Sequence, residues 1–446
     1  MSLGLHQKCL ERLMQVVVER LPGIKVKNRM FLDRRTAVML LMAESTLPQS
    51  GVLHQNLQQY IGEMPFADFA IELLSQNLLR EQKYDSGVEA VSLSEVQGYE
   101  DLNGVARYLV NEFESLPWKY SLSIELGNDF GELFAKALGS LEICDSAKVI
   151  APNDEYAKLF PLKSGIEALD RSLGGGLLNL FSKPEWNANS AYLQIVANGF
   201  IGPYTETKPL EEAISLLKAF CGAAIALRLL KVEYSYRSFP AKSRFYVHRQ
   251  IDDNWRIERV HELDTSVSDT LHDLVLHDLD GKLRSDDQKA RWMEERLKEI
   301  GSLFGNRQRA QKILLGSQWL FDSYCGKNEL LSFVQTVVVM EILLGEKTIS
   351  DLLGLGELLR NRCAYLIGDS HKQREEVLAD FREIYDLRSK IVHRGKVKLN
   401  LTEKSLFTKL QWMCRRVIQE EVRMLQQDIK DAASANVLMP PTRNSV

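Results

Sequence analysis

Near the end of the chain, Arg388 and His393 stand five residues apart in the segment FREIYDLRSKIVHRG, residues 381–395. A guanidinium offers paired N–H donors to phosphate oxygens. An imidazole titrates near neutral pH and can accept or donate a proton. The two together can move a proton beside a bound phosphate. Arg388, Lys390, Arg394, Lys396 and Lys398 fall within eleven residues that contain no acid, and such a cluster is a seat for phosphates. Tyr385 precedes Arg388 by three residues and can share its side of a helix, and Asp386 is placed to orient the arginine or the histidine. Glu341 lies in an otherwise apolar run and needs a partner there. Arg362 or Arg388 would serve, and a purely structural ion pair is the plainer alternative. The same Arg-to-His spacing recurs at Arg256 and His261, with Glu258, Glu262 and Asp264 nearby. That pair reads as a coincidence in a strand.

Spacing predicts the elements that must hold the first pair. Ile384, Leu387 and Ile391 repeat at three and four residues and give one apolar helix face. On an unbroken helix a five-residue step turns about 500°, which leaves Arg388 and His393 about 140° apart. They converge more easily if the helix ends between them or just beyond His393. Gly395 suits a left-handed cap, and Lys390 and Arg394 suit the negative end of the helix dipole. From residue 286 to 432 the whole chain reads as helix, in six segments broken near Gly326, Gly345, Gly368 and Gly395, with Asn328 and Ser350 as N-caps. Leu331 to Leu344 reads as a buried core helix.

Upstream, residues 1–83 carry helical periodicity, including RRTAVMLLMAESTL. Residues 84–285 are mixed α/β and fit a sensor or regulatory domain. Strands are expected at 120–126 and 190–200 and in VEYSYRSF, SRFYVHRQI and WRIERVHEL; the last two are joined by a turn at Asp252, Asp253 and Asn254. A helix is expected over 208–230, and the tail 433–446 is expected to fray. The fold class is α+β: an N-terminal helical and mixed α/β region followed by an all-α bundle.

YDLRSKIVHRG, preceded by LLRNRCAYLIG and FVQTVVVMEILLG, resembles the HEPN superfamily, in particular the ApeA-like HEPN domains of bacterial anti-phage systems. The resemblance covers about 140 residues at the C-terminal end, and its motif is Arg, four to six residues, then His. Many members have Asn, Asp or His directly after the arginine; here it is Ser389. The resemblance implies metal-independent RNA cleavage with no cofactor. The ribose 2′-OH attacks the adjacent phosphate and leaves a 2′,3′-cyclic phosphate and a 5′-hydroxyl. It implies Arg388 and His393 as the catalytic pair and a homodimer through the HEPN domain, with each chain supplying both residues. It also implies a role in anti-phage defence or abortive infection, with a phage-derived trigger acting at the N-terminal region. The alternative is a catalytically inactive HEPN module for dimerisation or for binding RNA or nucleotide.

Composition fits these readings. Hydrophobic residues make up 45% and charged residues 26%, as in ordinary globular chains. Net charge is −4, yet residues from Arg291 onward hold 25 Lys and Arg against 20 Asp and Glu, leaving 31 against 40 upstream. The basic C-terminal part fits an anionic partner. Six cysteines without a Cys-x-x-Cys pair suggest reduced thiols in a cytoplasmic protein. No signal peptide and no membrane span are expected, and no cysteine–histidine cluster has zinc spacing. SGIEALDRSLGGGLLNL (164–180) resembles the segment before the phosphate loop of RecA-like ATPases, but no Gly-x-x-x-x-Gly-Lys-Ser/Thr follows, so a glycine-rich turn is expected. His272 and His277 alternate with Asp273, Asp278 and Asp280 and read as a solvated surface, with a metal site as the lesser alternative. Trp319, Phe321 and Trp412 are spaced as core residues.

Overall fold

A computed structural model describes residues 2–87, 89–162, 185–202, 207–279, 281–346 and 354–438. The glycine-rich stretch 164–180, Asp280 and Ser350 lie outside them. Helix accounts for 60% and strand for 14%, a mixed α+β protein with antiparallel sheets.

The N-terminal part is less uniformly helical than its periodicity suggests. Helices Gln7–Arg20, Gly51–Tyr60 and Pro65–Glu81 form, but Lys25–Lys27 pairs with Phe31–Leu32 and with Ala90–Ser92 in a small sheet. Asn28 and Arg29 take positive φ in the turn between the first two strands, so the local chain reverses before a helix can propagate. In RRTAVMLLMAESTL only Arg34–Ala37 is α-helical, and Val38–Thr46 tightens into a 3₁₀ helix.

The middle region centres on a six-stranded antiparallel sheet in the order Asn254–Glu262, Arg244–Ile251, Trp118–Glu125, Tyr192–Gly199, Ala147–Ile150, Ser140–Cys144. Leu122 lies opposite Ile195 on one side and Val247 on the other, so the central strand is fixed by buried aliphatic neighbours on both flanks. Asp252 and Asp253, both at positive φ, close a two-residue hairpin, and Asn254 already pairs with Ile251. VEYSYRSF is not the strand its alternation suggests. Pairing ends at Val232, and from there Glu233 and Ser235 hydrogen-bond Asp273, leaving Tyr234, Tyr236 and Phe239 in solvent. The helix expected over 208–230 stops at Ala226, because Leu230–Val232 pairs with Leu274–Leu276. That pairing also corrects the solvated reading of TLHDLVLHDLDG at two positions, while His272 stays exposed. Asp273 and His277 are buried; Asp273 accepts from Arg237 Nη2 at 2.6 Å and His277 Nδ1 from the Leu279 N–H at 2.8 Å.

Among the described residues the C-terminal helices are Asp286–Gly305, Arg307–Asp322, Glu329–Leu344, Leu355–Ile367, His371–Arg394 and Leu401–Leu438. Asn328 caps its helix by accepting from the Leu330 and Leu331 N–H groups. The core does not stop at residue 286: one buried apolar cluster runs from Leu5 to Leu425. Helix Lys208–Ala226 crosses Arg307–Asp322 so closely that a Cβ on Gly222 would lie 1.8 Å from the Ser317 carbonyl oxygen. Phe321 is buried as expected, but Trp412 is 44% exposed, because it lies on the outer side of the last helix.

Candidate active site

The Arg388 helix, His371–Arg394, starts at Ser370, whose side chain accepts from the Gln373 N–H, and ends at Gly395 with φ 64° and ψ 35°. The Gly395 N–H reaches the Lys390 carbonyl, a left-handed cap that glycine adopts without a Cβ clash. Val377, Phe381, Ile384 and Leu387 bury one stripe of this helix. Arg388 lies about 100° to one side of Leu387 and His393 about 120° to the other. Against the whole stripe, Arg388 falls between Ile384 and Phe381, on the packed side of the helix, and His393 lies on the opposite, solvent side; the two are separated by about 7.5 Å of axial rise. The helix runs unbroken through both residues, so one chain does not bring the two side chains together.

Arg388 is one-third exposed, and its Nη2 lies 3.6 Å from Glu341 Oε1 on helix Glu329–Leu344. Tyr385 donates its hydroxyl to the same oxygen at 3.1 Å. The Tyr385 ring stacks on Phe381, with centroids 5.5 Å apart and planes 18° apart. Gly356 also lies close to the ring: a Cβ there would come 3.0 Å from Tyr385 Cδ1. Burial and the Glu341 carboxylate raise the Tyr385 pKa well above the ordinary tyrosine range, so its hydroxyl remains a donor. Of the two cations considered for Glu341, Arg388 is the one that meets it. Arg362 instead donates to the Leu344 carbonyl and pairs with Glu346.

His393 is exposed, in the last turn before Gly395. Asp386 and Ser389 are also exposed and make no hydrogen bond or ion pair among the described residues, so neither orients Arg388 or His393 within the chain. Lys390, Arg394 and Lys398 are exposed and form no hydrogen bond or ion pair among the described residues, although the Lys390 charge helps to lower the Glu403 pKa. Lys396 differs: its Nζ lies 3.0 Å from Glu403 Oε1. Glu403 also forms a reciprocal cap with Asn400, each backbone N–H donating to the other's side chain at the start of Leu401–Leu438. Lys396 thus fastens the chain after Gly395, while the other three cations face solvent.

Sequence reading did not single out Gly356, whose role appears only where two helices meet. Nor did it single out Val397 and Leu401, exposed apolar residues beside the motif. Their signal was present as two aliphatics among the cations of GKVKLNL, residues 395–401.

The other Arg-to-His pair has a different setting. Arg256 is exposed and His261 is buried on strand Asn254–Glu262, where His261 Nδ1 lies 3.0 Å from Arg259 Nη2. Burial and the Arg259 charge lower the His261 pKa to about 4. Among the described residues no three His, Cys, Asp or Glu side chains gather as a metal-binding group, and the six cysteines are free thiols. No helix among them is long and apolar enough to cross a membrane. No protein-family model, curated protein or solved structure matches this chain.

Proposed function

We propose that this chain is a metal-independent endoribonuclease of the HEPN type, acting in anti-phage defence or abortive infection. The observation that carries the reading is the accessibility of both motif side chains at one helix end, beside the exposed cations Lys390, Arg394 and Lys398. Cleavage by internal attack requires a group that takes the proton of the ribose 2′-OH. It also requires one that protonates the departing 5′-oxygen, and positive charge on the phosphorane formed between. His393 has the chemistry for either proton step, and Arg388 for the phosphate charge. One imidazole does not serve both proton steps at once, and one chain holds Arg388 on the packed side of its helix and His393 on the solvent side. Two chains facing one RNA strand answer both needs: the histidine of one works beside the arginine of the other. The region before residue 286 would restrain the nuclease or sense the trigger. It is physically coupled to the bundle through the Gly222–Ser317 crossing.

The test is to sequence the RNA ends produced when the chain is expressed, beside a His393→Ala variant. New 2′,3′-cyclic phosphate and 5′-hydroxyl ends that vanish in the variant support the proposal; identical end profiles refute it. A second reading has its own observation: Arg388 leans on Glu341, away from His393, as suits an inactive module that binds RNA or nucleotide and dimerises. On that reading RNA is retained by both proteins and cut by neither.

A further inference from the structure

The segment Val38–Thr46 is rich in apolar residues on all its sides but is covered on one only. In a 3₁₀ helix residues three apart eclipse, so this one has three edges. Ala37, Leu40 and Ala43 form the first and are fully buried. Val38 and Leu41, 52% and 39% exposed, form the second; Met39 and Met42, 36% and 60% exposed, form the third. A helix with apolar residues on every side is normally covered on every side. Its ends carry opposite charge. Helix Arg34–Ala37 leads directly into it, so Arg35 stands one turn before Val38. Arg35 is exposed, and its side chain makes no hydrogen bond or ion pair among the described residues; Asp33, on which its charge acts, is held by Lys27 at 3.1 Å. Glu44 stands one turn after Leu41. It accepts the Ala67 N–H at 2.8 Å, at the start of helix Pro65–Glu81, but forms no ion pair among the described residues. Burial raises its pKa to about 7 in spite of that N–H and the one of Phe66, and the nearby Asp68 adds to the rise.

We propose that the second edge pairs with the same edge of a second copy, antiparallel about a two-fold axis. Along the chain this edge reads Arg35, Val38, Leu41, Glu44. Laid against itself in reverse, it sets Arg35 on the partner's Glu44 and Val38 on the partner's Leu41, each twice over. A parallel arrangement would set arginine on arginine and glutamate on glutamate, so charge selects the reversed one. Met39 and Met42 flank the seam, and their unbranched thioether side chains adapt to a facing surface. These four apolar residues present on the order of 300 Å² of exposed surface, enough to mark an interaction site. A standard dimer buries roughly 800 Å² per partner; Arg35, Glu44 and Met64, 44% exposed beside the Glu44 end, extend the patch toward that size. An isologous contact of this kind closes on two chains. It lies in the N-terminal region and uses neither Arg388 nor His393, so it stands whether or not the chain cuts RNA. A further contact through the C-terminal helices would join such pairs into larger assemblies.

The experiment is sedimentation velocity of the full chain, free of nucleic acid, from low to high micromolar concentration. The expected result is self-association that Val38→Asp/Leu41→Asp halves: dimer to monomer, or tetramer to dimer if the C-terminal helices pair as well. Arg35→Glu should weaken the association by about tenfold, because both junctions turn from attraction to repulsion, while Arg35→Lys should keep most of it. Val52→Asp, at an apolar position 73% exposed but outside the edge, is the control and should leave assembly intact. Circular dichroism checks that each variant folds; if the aspartate pair does not, Arg35→Glu, an exchange at an exposed charge, decides the matter. A wild type that stays monomeric at high micromolar concentration overturns the proposal. So does an assembly indifferent to the aspartate pair or to Arg35→Glu, or one that Val52→Asp weakens equally.

Discussion

Arg388 Nη2 lies 3.6 Å from an oxygen of Glu341 that also accepts the Tyr385 hydroxyl. The guanidinium is thereby held on the packed side of its helix while its remaining N–H groups stay available. A contact of this length between partly exposed groups adds less than about 1 kcal/mol to stability, so its weight falls on orientation.

Glu341→Gln should therefore leave the melting temperature nearly unchanged and lower RNA cleavage by about tenfold or more, mainly through kcat, because a mispositioned guanidinium meets the phosphorane poorly. Tyr385→Phe keeps the ion pair and should cost less. Steady-state kinetics on a short RNA separates the two. Equal activity of Glu341→Gln and wild type would remove Glu341 from the site.

His393→Ala should change stability by no more than about 0.5 kcal/mol, since the side chain is exposed. Loss of a proton-transfer group should cut cleavage by about 100-fold or more. Denaturant titration and a cleavage assay on the same preparation check both halves. Cleavage should persist in EDTA and fail on RNA with a 2′-deoxy sugar at the cut site, because the attacking oxygen is the substrate's own.

Gly222→Ala should destabilise the fold by about 1–3 kcal/mol or more, because the added carbon would meet the Ser317 carbonyl at 1.8 Å and backbone must move. Gly305→Ala, with open space around the new carbon, is the control and should be neutral or slightly stabilising. Chemical denaturation midpoints decide the point, and a wild-type midpoint for Gly222→Ala would contradict the close crossing.

Burial lowers the pKa of His248 to about 4, and burial with the Arg259 charge does the same for His261. The unfolded chain takes up these protons near pH 6.5, whereas the folded chain refuses them until about pH 4. Stability is therefore full above pH 6.5 and is lost as pH falls from there toward 4. The tyrosines run the other way. Burial raises the pKa of Tyr120, Tyr156 and Tyr385, so above about pH 10 the unfolded chain releases protons that the folded chain keeps, and stability falls as pH rises. Denaturation midpoints across pH 4–11 should trace both losses; a flat acidic limb would exclude the buried neutral imidazoles.

The sequence by itself determined what local periodicity and end chemistry can specify. The six C-terminal helices among the described residues, the Asn328 and Gly395 caps and the Asp252-Asp253 hairpin were legible, because each depends on residues within a turn or two of one another. So was the proximity of Arg388 and His393 along the chain. Contacts between elements distant in sequence were not legible. VEYSYRSF alternates like a strand yet has no partner beyond Val232, and only the Asp273 carboxylate, 38 residues after Ser235, shows why the chain turns away. Which cation meets Glu341, which lysine is already spoken for, and that Asp273 and His277 lie inside are likewise decided in three dimensions. Arg388 faces the neighbouring helix and His393 faces solvent because burial of Phe381, Ile384 and Leu387 fixes the helix rotation. Spacing gives the angle between two side chains, but only packing gives the direction each one faces.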